Sequence, residues 1–246
     1  MNAKADRRAA ADDERSPRER DTTFVQALAL GLDPAWRRQP DEDRRCDASD
    51  AVTAEAETTS LGVRTLAYAS TGLEPGVDIL LFRLALSLDD LQSAGARLLR
   101  RGLGRWLTVR HSFLGRIGAS QYVARASSQE RSILDGEPRR YLVVYPFTKS
   151  SAWYLLNREV RQGVMNEHMR VGRGYANVRQ LLAYSFGLDD QDFVVAYDTD
   201  DLVSFGDLVR ELRGTESRRS TVDDRPILVG VRRDLDEIVR DLGAPA

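Results

Sequence analysis

The chain has 246 residues, enough for one large domain or two fused small ones, and 36 basic against 38 acidic residues leave a formal net charge of −2. Acid and base are interspersed, which gives no support for binding nucleic acid or an anionic membrane, and a single cysteine, Cys46, excludes an internal disulfide or a cysteine-based metal cluster. No apolar run reaches the ~18 residues of a membrane span and no hydrophobic leader is visible, so the expectation is a cytoplasmic protein without a membrane segment.

Residues 1–58 mix charges with Ala, Asp and Pro and are poor in aromatic and branched side chains, which predicts a disordered or loosely attached N-terminal extension. One island in it, residues 24–36 (FVQALALGLDPAW), has the composition of a short packed helix. A first folded half is expected over 59–138, with order beginning near Leu61. Residues 63–70 and 78–86 read as strands separated by the turn pairs Thr71-Gly72 and Pro75-Gly76. Ser87 stands as an N-cap before the acidic Asp89 and Asp90, predicting a helix through Leu99 with Leu91 and Leu98 inward. Residues 108–117 form a third strand carrying His111, to which no role is assigned, and 127–138 a polar connection.

A second half is expected over 139–246. It opens with a strand at 141–147, continues through a helix carrying His168, and then gives strands at 178–188 and 192–198 joined by the turn 187–191. Asp200-Asp201 starts a helix through Arg213, and 227–231 is a last strand. The halves resemble each other: DILLFRLALSLDDLQSAGARLL and DFVVAYDTDDLVSFGDLVRELR both read as strand, acidic cap, helix. The fold class that follows is α+β, two ferredoxin-like halves packed face to face around a shared core.

The chemistry concentrates in 141–193. A chain that writes almost every cation as arginine places one of its two lysines, Lys149, and one of its two histidines, His168, 19 residues apart. Val160, Val164 and His168 repeat at four-residue spacing, so the imidazole shares a helix face with apolar side chains, as a satisfied core residue or as a ligand. Tyr145, Lys149, Arg173 and Gln180 bracket it on strand, loop, helix end and next strand.

These motifs resemble the chlorite dismutase superfamily, which also contains peroxide-dependent coproheme decarboxylases. The matching runs are YPFTK at 145–149, WYLL at 153–156, Glu167-His168, Gly172-Arg173, Tyr175, SFGLDD at 185–190, Leu208-Val209, Leu212-Arg213, Thr215-Glu216 and Pro226. Weaker similarity reaches back to Leu61. The resemblance implies the dimeric α+β barrel, usually a homopentamer, with His168 as proximal ligand of a haem-type iron. A neutral imidazole binds metal through one nitrogen while the other needs an acceptor. By the resemblance that acceptor is Glu216; by its surroundings alone Glu216 is a helix-end surface carboxylate. Tyr145 matches the family's reactive tyrosine. Lys149 is expected near a propionate, and Arg173, Arg131 and Ser217 are expected to anchor others.

The distal side separates the family's activities. Chlorite-splitting members carry an arginine five residues before the serine of the SFGLDD-like turn, where Gln180 stands here. A neutral amide can hydrogen-bond a peroxide but lacks the charge that holds chlorite, and Arg179 should point to the other face of the strand. By the resemblance, one group of the decarboxylases carries glutamine at the Gln180 position, and the distal histidine used by a second group falls near Ile117 here. The sequence departs from the family pattern at Met169, at Ser217-Arg218-Arg219-Ser220 and at Leu228-Val229-Gly230. The expected activity is decarboxylation of iron coproporphyrin III (coproheme) to haem b with hydrogen peroxide, in haem biosynthesis. The alternatives are a haem-binding carrier or sensor, and a chlorite dismutase or weak peroxidase.

Overall fold

In this computed structural model, residues 22–117, 133 and 136–245 are described. Strand β1 (Thr23–Leu32) leads into helix α1 (Asp41–Ala56), strands β2 (Arg64–Glu74) and β3 (Val77–Ala85), helix α2 (Leu88–Leu99) and strand β4 (Leu107–Ile117). The succession then repeats. Strand β5 (Tyr141–Lys149) and a short helix α3 (Ser151–Leu155) precede α4 (Arg158–Arg173), β6 (Val178–Tyr184), β7 (Phe193–Thr199) and α5 (Leu202–Arg213). Two strands, β8 (Thr221–Asp223) and β9 (Leu228–Arg232), and a C-terminal helix α6 (Leu235–Asp241) complete it.

Strand order is β4-β1-β3-β2 in the first half and β6-β7-β5-β9 in the second, two ferredoxin-like βαββαβ units. Pairing of β2 with β9 and of β4 with β6 joins the units, and β8 adds to β5. The sheet thus curls into a barrel with few free edges. The two inner faces make one core, from Val25, Ala27, Leu80 and Phe82 of one half to Leu142, Val144, Leu181 and Ala196 of the other. Gly230 of β9 sits where a Cβ would lie 2.5 Å from that of Tyr68, so the seam between β2 and β9 requires glycine there. At the other seam Asp189, in the SFGLDD turn, accepts the Leu114 N–H at 3.0 Å and clasps the second half to β4.

Residues 22–58 correct the expected extension. Instead of a loose tail and an island helix, β1 is a central strand between β3 and β4, buried on both faces. Double burial removes the polar–apolar alternation that marks a strand, and a short apolar run does not by itself distinguish strand from helix. Helix α1 is equally hidden, because its buried side includes Asp47 and Glu55 beside small alanines. Asp47 accepts from the Trp36 and Trp106 indoles at 3.1 and 3.0 Å and from Arg105 at 2.9 Å, and Glu55 pairs with the fully buried Arg83. Paired charges replace the apolar stripe by which such a helix is read. The repeat therefore starts at Thr23 rather than at 59.

Helix α2 follows Ser87 as expected and buries Leu91, Ala94 and Leu98, although the Ser87 hydroxyl makes no cap bond. His111, half-buried on β4, stacks on Phe113 at 5.8 Å. Among the described residues no helix is long and apolar enough to cross a membrane.

Candidate functional site

The two halves carry helices of the same length at the same place, and they close their sheets differently. Counted from their first residues, α1 and α4 each have sixteen residues, and Asp47, Ala48, Ala51, Ala54 and Glu55 of α1 correspond to Val164, Met165, His168, Val171 and Gly172 of α4. Every one of the five is buried in α1. None is buried in α4, although its apolar residues line one side. The C-terminal helix explains the difference: Ile238, Val239 and Leu242 pack with Ala48 and Ala51 over the outer face of the first half, against Ala67 and Ala69 of β2. No described element does the same for β6, the counterpart of β2, and its outward-facing Gln180 and Leu182 stay half-buried.

A cleft therefore opens between α4 and the outer face of the second half. Asn157 caps α4 through the Val160 N–H at 2.9 Å. Val171 packs the helix's C-terminal end against the cluster of Val143, Val178, Val195, Tyr197 and Leu208. Towards the N-terminal end the helix leaves that cluster, and Val160 is 46% exposed. A Cβ built on Gly172 meets nothing within 4 Å, which marks empty space on the cleft side of the helix.

His168 faces this space. Its Nδ1 is sealed from solvent and has no hydrogen-bond partner. Burial, then the charge of Lys149, push the imidazole down to about 4, against a smaller opposing effect of Glu167, so it is neutral at physiological pH. Among the described residues no three His, Cys, Asp or Glu side chains group to hold a bare ion. A lone neutral imidazole is instead the donor set for a metal whose other positions come from a macrocycle, bound through the ring nitrogen other than the sealed Nδ1, so the residues fit an iron porphyrin.

The opposite wall is the sheet. Tyr145 pairs with Val195 on β7, which pairs with Leu182 on β6, while Gln180 pairs with Tyr197. Tyr145 and Gln180 thus share the outer face, two strands apart and offset by two residues, about 10 Å across the sheet. Arg179 points the other way and pairs with the buried Asp198, as the strand parity requires. Burial raises the Tyr145 hydroxyl above the ordinary tyrosine value, partly offset by a hydrogen bond with Tyr197. The Tyr197 ring stacks on Tyr145 at 6.0 Å and is fully buried against Phe205. Sequence reasoning missed Tyr197; its place two residues from Val195, on the same face as Tyr145, is the signal that finds it.

Lys149 is buried without a carboxylate partner. Its three N–H bonds go to the Ser217 carbonyl at 2.9 Å, the Ser217 hydroxyl at 3.1 Å and the Thr221 hydroxyl at 3.1 Å, and it lies 5.0 Å from the Trp153 ring. Burial and then Arg218 lower it to about 8. The structure brings Lys149 and Ser217 together, as two neighbours expected at one ligand, but their hydrogen bonds are made to each other. Lys149 thus acts on the cleft by charge, with no free donor for a propionate.

Glu216 corrects its expected role. Its carboxylate is exposed and bonded to Arg219 at 3.3 Å, while its N–H donates to Glu167 at 2.9 Å. The turn 216–220 that buries Ser217 faces Glu216 outward, so the His168 Nδ1 is left without it. Arg173, in the last turn of α4, is exposed and five residues past His168, on another side of the helix. Arg131 lies outside the described residues. A separate open groove of about 520 Å³ beside α1 is lined by Asp43, Cys46, Asp47 and Trp106, far in the fold from His168.

The chain is thus a barrel of two ferredoxin-like units with a neutral imidazole over a half-covered outer sheet face in its second half. Residues 43–233 match the chlorite dismutase family. The chain belongs to that family. It is 31% identical over 209 residues to a coproheme decarboxylase of Mycolicibacterium smegmatis, covering 82% of this chain and 87% of the relative. A mutant chlorite dismutase from Candidatus Nitrospira defluvii superposes with a TM-score of 0.76 at 28% identity, over 89% of this chain and 94% of that one. The chlorite dismutase of the same organism in complex with imidazole gives 0.76 at 27% identity, over 96% and 98%.

Proposed function

We propose that this protein is a coproheme decarboxylase, using hydrogen peroxide to convert iron coproporphyrin III into haem b. The observation that carries the reading is His168: an imidazole held neutral on the half-covered side of α4, beside an outer sheet face that bears Tyr145 and Gln180. The bound iron porphyrin supplies the oxidising chemistry with peroxide, and the protein binds and orients it. In each conversion a propionate loses carbon dioxide, one proton and two electrons to become vinyl, and one hydrogen peroxide accepts the two electrons.

In this reading His168 is the iron ligand and Val164, Met165 and Val171 flank the macrocycle from the α4 side. Tyr145 passes an oxidising equivalent to a propionate, its phenol kept protonated by burial until that step. Gln180 offers peroxide an uncharged hydrogen-bonding amide on the same wall. Lys149 keeps a positive charge beside the carboxylate-bearing ligand, and of the propionate contacts expected from the resemblance Arg131 is the one kept in this proposal. The homopentamer and cytoplasmic location expected from the resemblance belong to the same proposal; Leu155 and Val203, 86% and 76% exposed, offer apolar surface to a second copy.

The test is to add ferric coproheme and hydrogen peroxide and follow the porphyrin by mass spectrometry. Loss of two carboxyl groups is expected. Binding with no mass change would make the protein a carrier or sensor, and oxygen release from chlorite would make it a dismutase.

A further inference from the structure

The cleft side of α4 carries a second group that spends none of its hydrogen-bonding capacity on the chain. Arg161 lies seven residues before His168, two turns along the same stripe of the helix and about 10 Å away along its axis. It is half-buried, its Nε is sealed from solvent, and among the described residues no carboxylate or carbonyl meets its guanidinium.

The first half supplies a control for this reading. Arg44 is the fourth residue of α1 as Arg161 is of α4, with the same half-buried setting and an equally sealed Nε. The difference lies at the terminal nitrogens. Those of Arg44 donate to the Gly243 carbonyl beyond α6 and to Asp41, whereas those of Arg161 have no counterpart of either. Acids have also gone from the stripe itself: Asp47 and Glu55 of α1 are replaced by Val164 and Gly172 in α4. Glu167, at the edge of the stripe, gives its carboxylate to the Glu216 N–H. Where the half is closed the chain neutralises its arginine, and where the half is open it provides no acceptor.

We infer that Arg161 binds a carboxylate of the ligand held at His168 and so fixes the macrocycle's orientation in the cleft. This rests on the porphyrin reading above. A ligand that spans the two positions is broad and flat with anions on its rim, and a guanidinium fork receives such a carboxylate through two parallel bonds.

The experiment is an equilibrium titration of the full chain, followed by porphyrin absorbance, with ferric coproporphyrin III and with its tetramethyl ester in the same detergent-containing buffer. Arg161→Gln should weaken binding of the tetracarboxylate about tenfold or more, the equivalent of ~1.4 kcal/mol, and leave the ester's affinity unchanged. Arg161→Lys should recover part of the loss, since it restores charge without the fork. Equal weakening of acid and ester, or no weakening of either, overturns the assignment of Arg161 while leaving the porphyrin site standing. If the wild-type chain binds neither compound, the His168 site and the role of Arg161 fall together.

Discussion

The neutral state of His168 makes a measurable prediction in the ligand-free protein. The folded state holds the imidazole at about 4 against an ordinary value of 6.5, first through burial and then through the charge of Lys149. Below an ordinary pKa of about 6.5 the unfolded chain takes up a proton that the folded one refuses, so stability falls as pH falls, until the folded imidazole also titrates near 4. The full window corresponds to ~3 kcal/mol, and between about pH 7.5 and about pH 4.5 it amounts to ~2.5 kcal/mol. Urea denaturation of wild type and His168→Gln at those two values isolates this contribution, because every other titrating group is common to both. Wild type should lose ~2.5 kcal/mol more than the variant on acidification. Equal losses would mean that the imidazole is solvated or partnered in solution, and the desolvated ligand proposed for the iron would lose its basis.

Three further outcomes follow from the same geometry. Tyr145→Phe should bind coproheme almost as wild type, since one hydroxyl contributes only ~1 kcal/mol, yet leave it unconverted in the mass-spectrometric assay; undiminished conversion would refute the role given to the phenol. Wild type should release no useful oxygen from chlorite, while Gln180→Arg, which places a cation on the Tyr145 wall, should gain a trace detectable with an oxygen electrode; brisk release by wild type would overturn the distal assignment. Lys149 is lowered to about 8 by burial, so its charge penalises the fold at neutral pH and the penalty lifts as pH rises through 8. Against Lys149→Met, wild type should gain ~2 kcal/mol in urea denaturation from about pH 8 to about pH 10, and no relative gain would show the ammonium to be well solvated.

The second half was legible because its motifs are dense and distinctive, YPFTK on β5, WYLL at α3, Glu167-His168 on α4 and SFGLDD in a turn, and because β6 alternates between buried and half-buried residues. Strand parity alone put Arg179 and Gln180 on opposite faces, and the pairing of Arg179 with Asp198 in the interior agrees with it. The first half was legible only from Leu61, because β1 is apolar on both faces and α1 buries aspartate and glutamate against indole and guanidinium partners far away in sequence. Neither leaves a periodic signal. Glu216 was misplaced for a related reason: the turn 216–220 chooses between Ser217 and Glu216 as the inward residue, and Lys149, 68 residues away, decides it by accepting bonds from neither but donating to Ser217. Local sequence does not encode that choice.

The duplicated fold turns the site into a question of what is left unburied. In the first half, Ala51 sits where His168 sits in the second, and α6 completes a dry interface over β2. Burying an aliphatic side chain gains ~1.5–3 kcal/mol, so leaving Val160, Val164 and Met165 short of full burial forgoes several such contributions. A folded chain keeps an arrangement of that kind only if the barrel's common core already stabilises both halves, which the shared interior from Val25 to Leu228 does. The opening also carries two cations with no carboxylate partner among the described residues. Lys149 and Arg161 approach it from sheet and helix, and the acids present on the equivalent helix are absent. An uncharged apolar ligand would fill the volume and leave the Arg161 guanidinium unanswered, and a small anion would answer it and leave the volume empty. The flat, carboxylate-rimmed macrocycle of the proposal would meet both conditions at once, and the missing cover over α4 and the missing acceptor at Arg161 are each read from a difference between two halves of one chain.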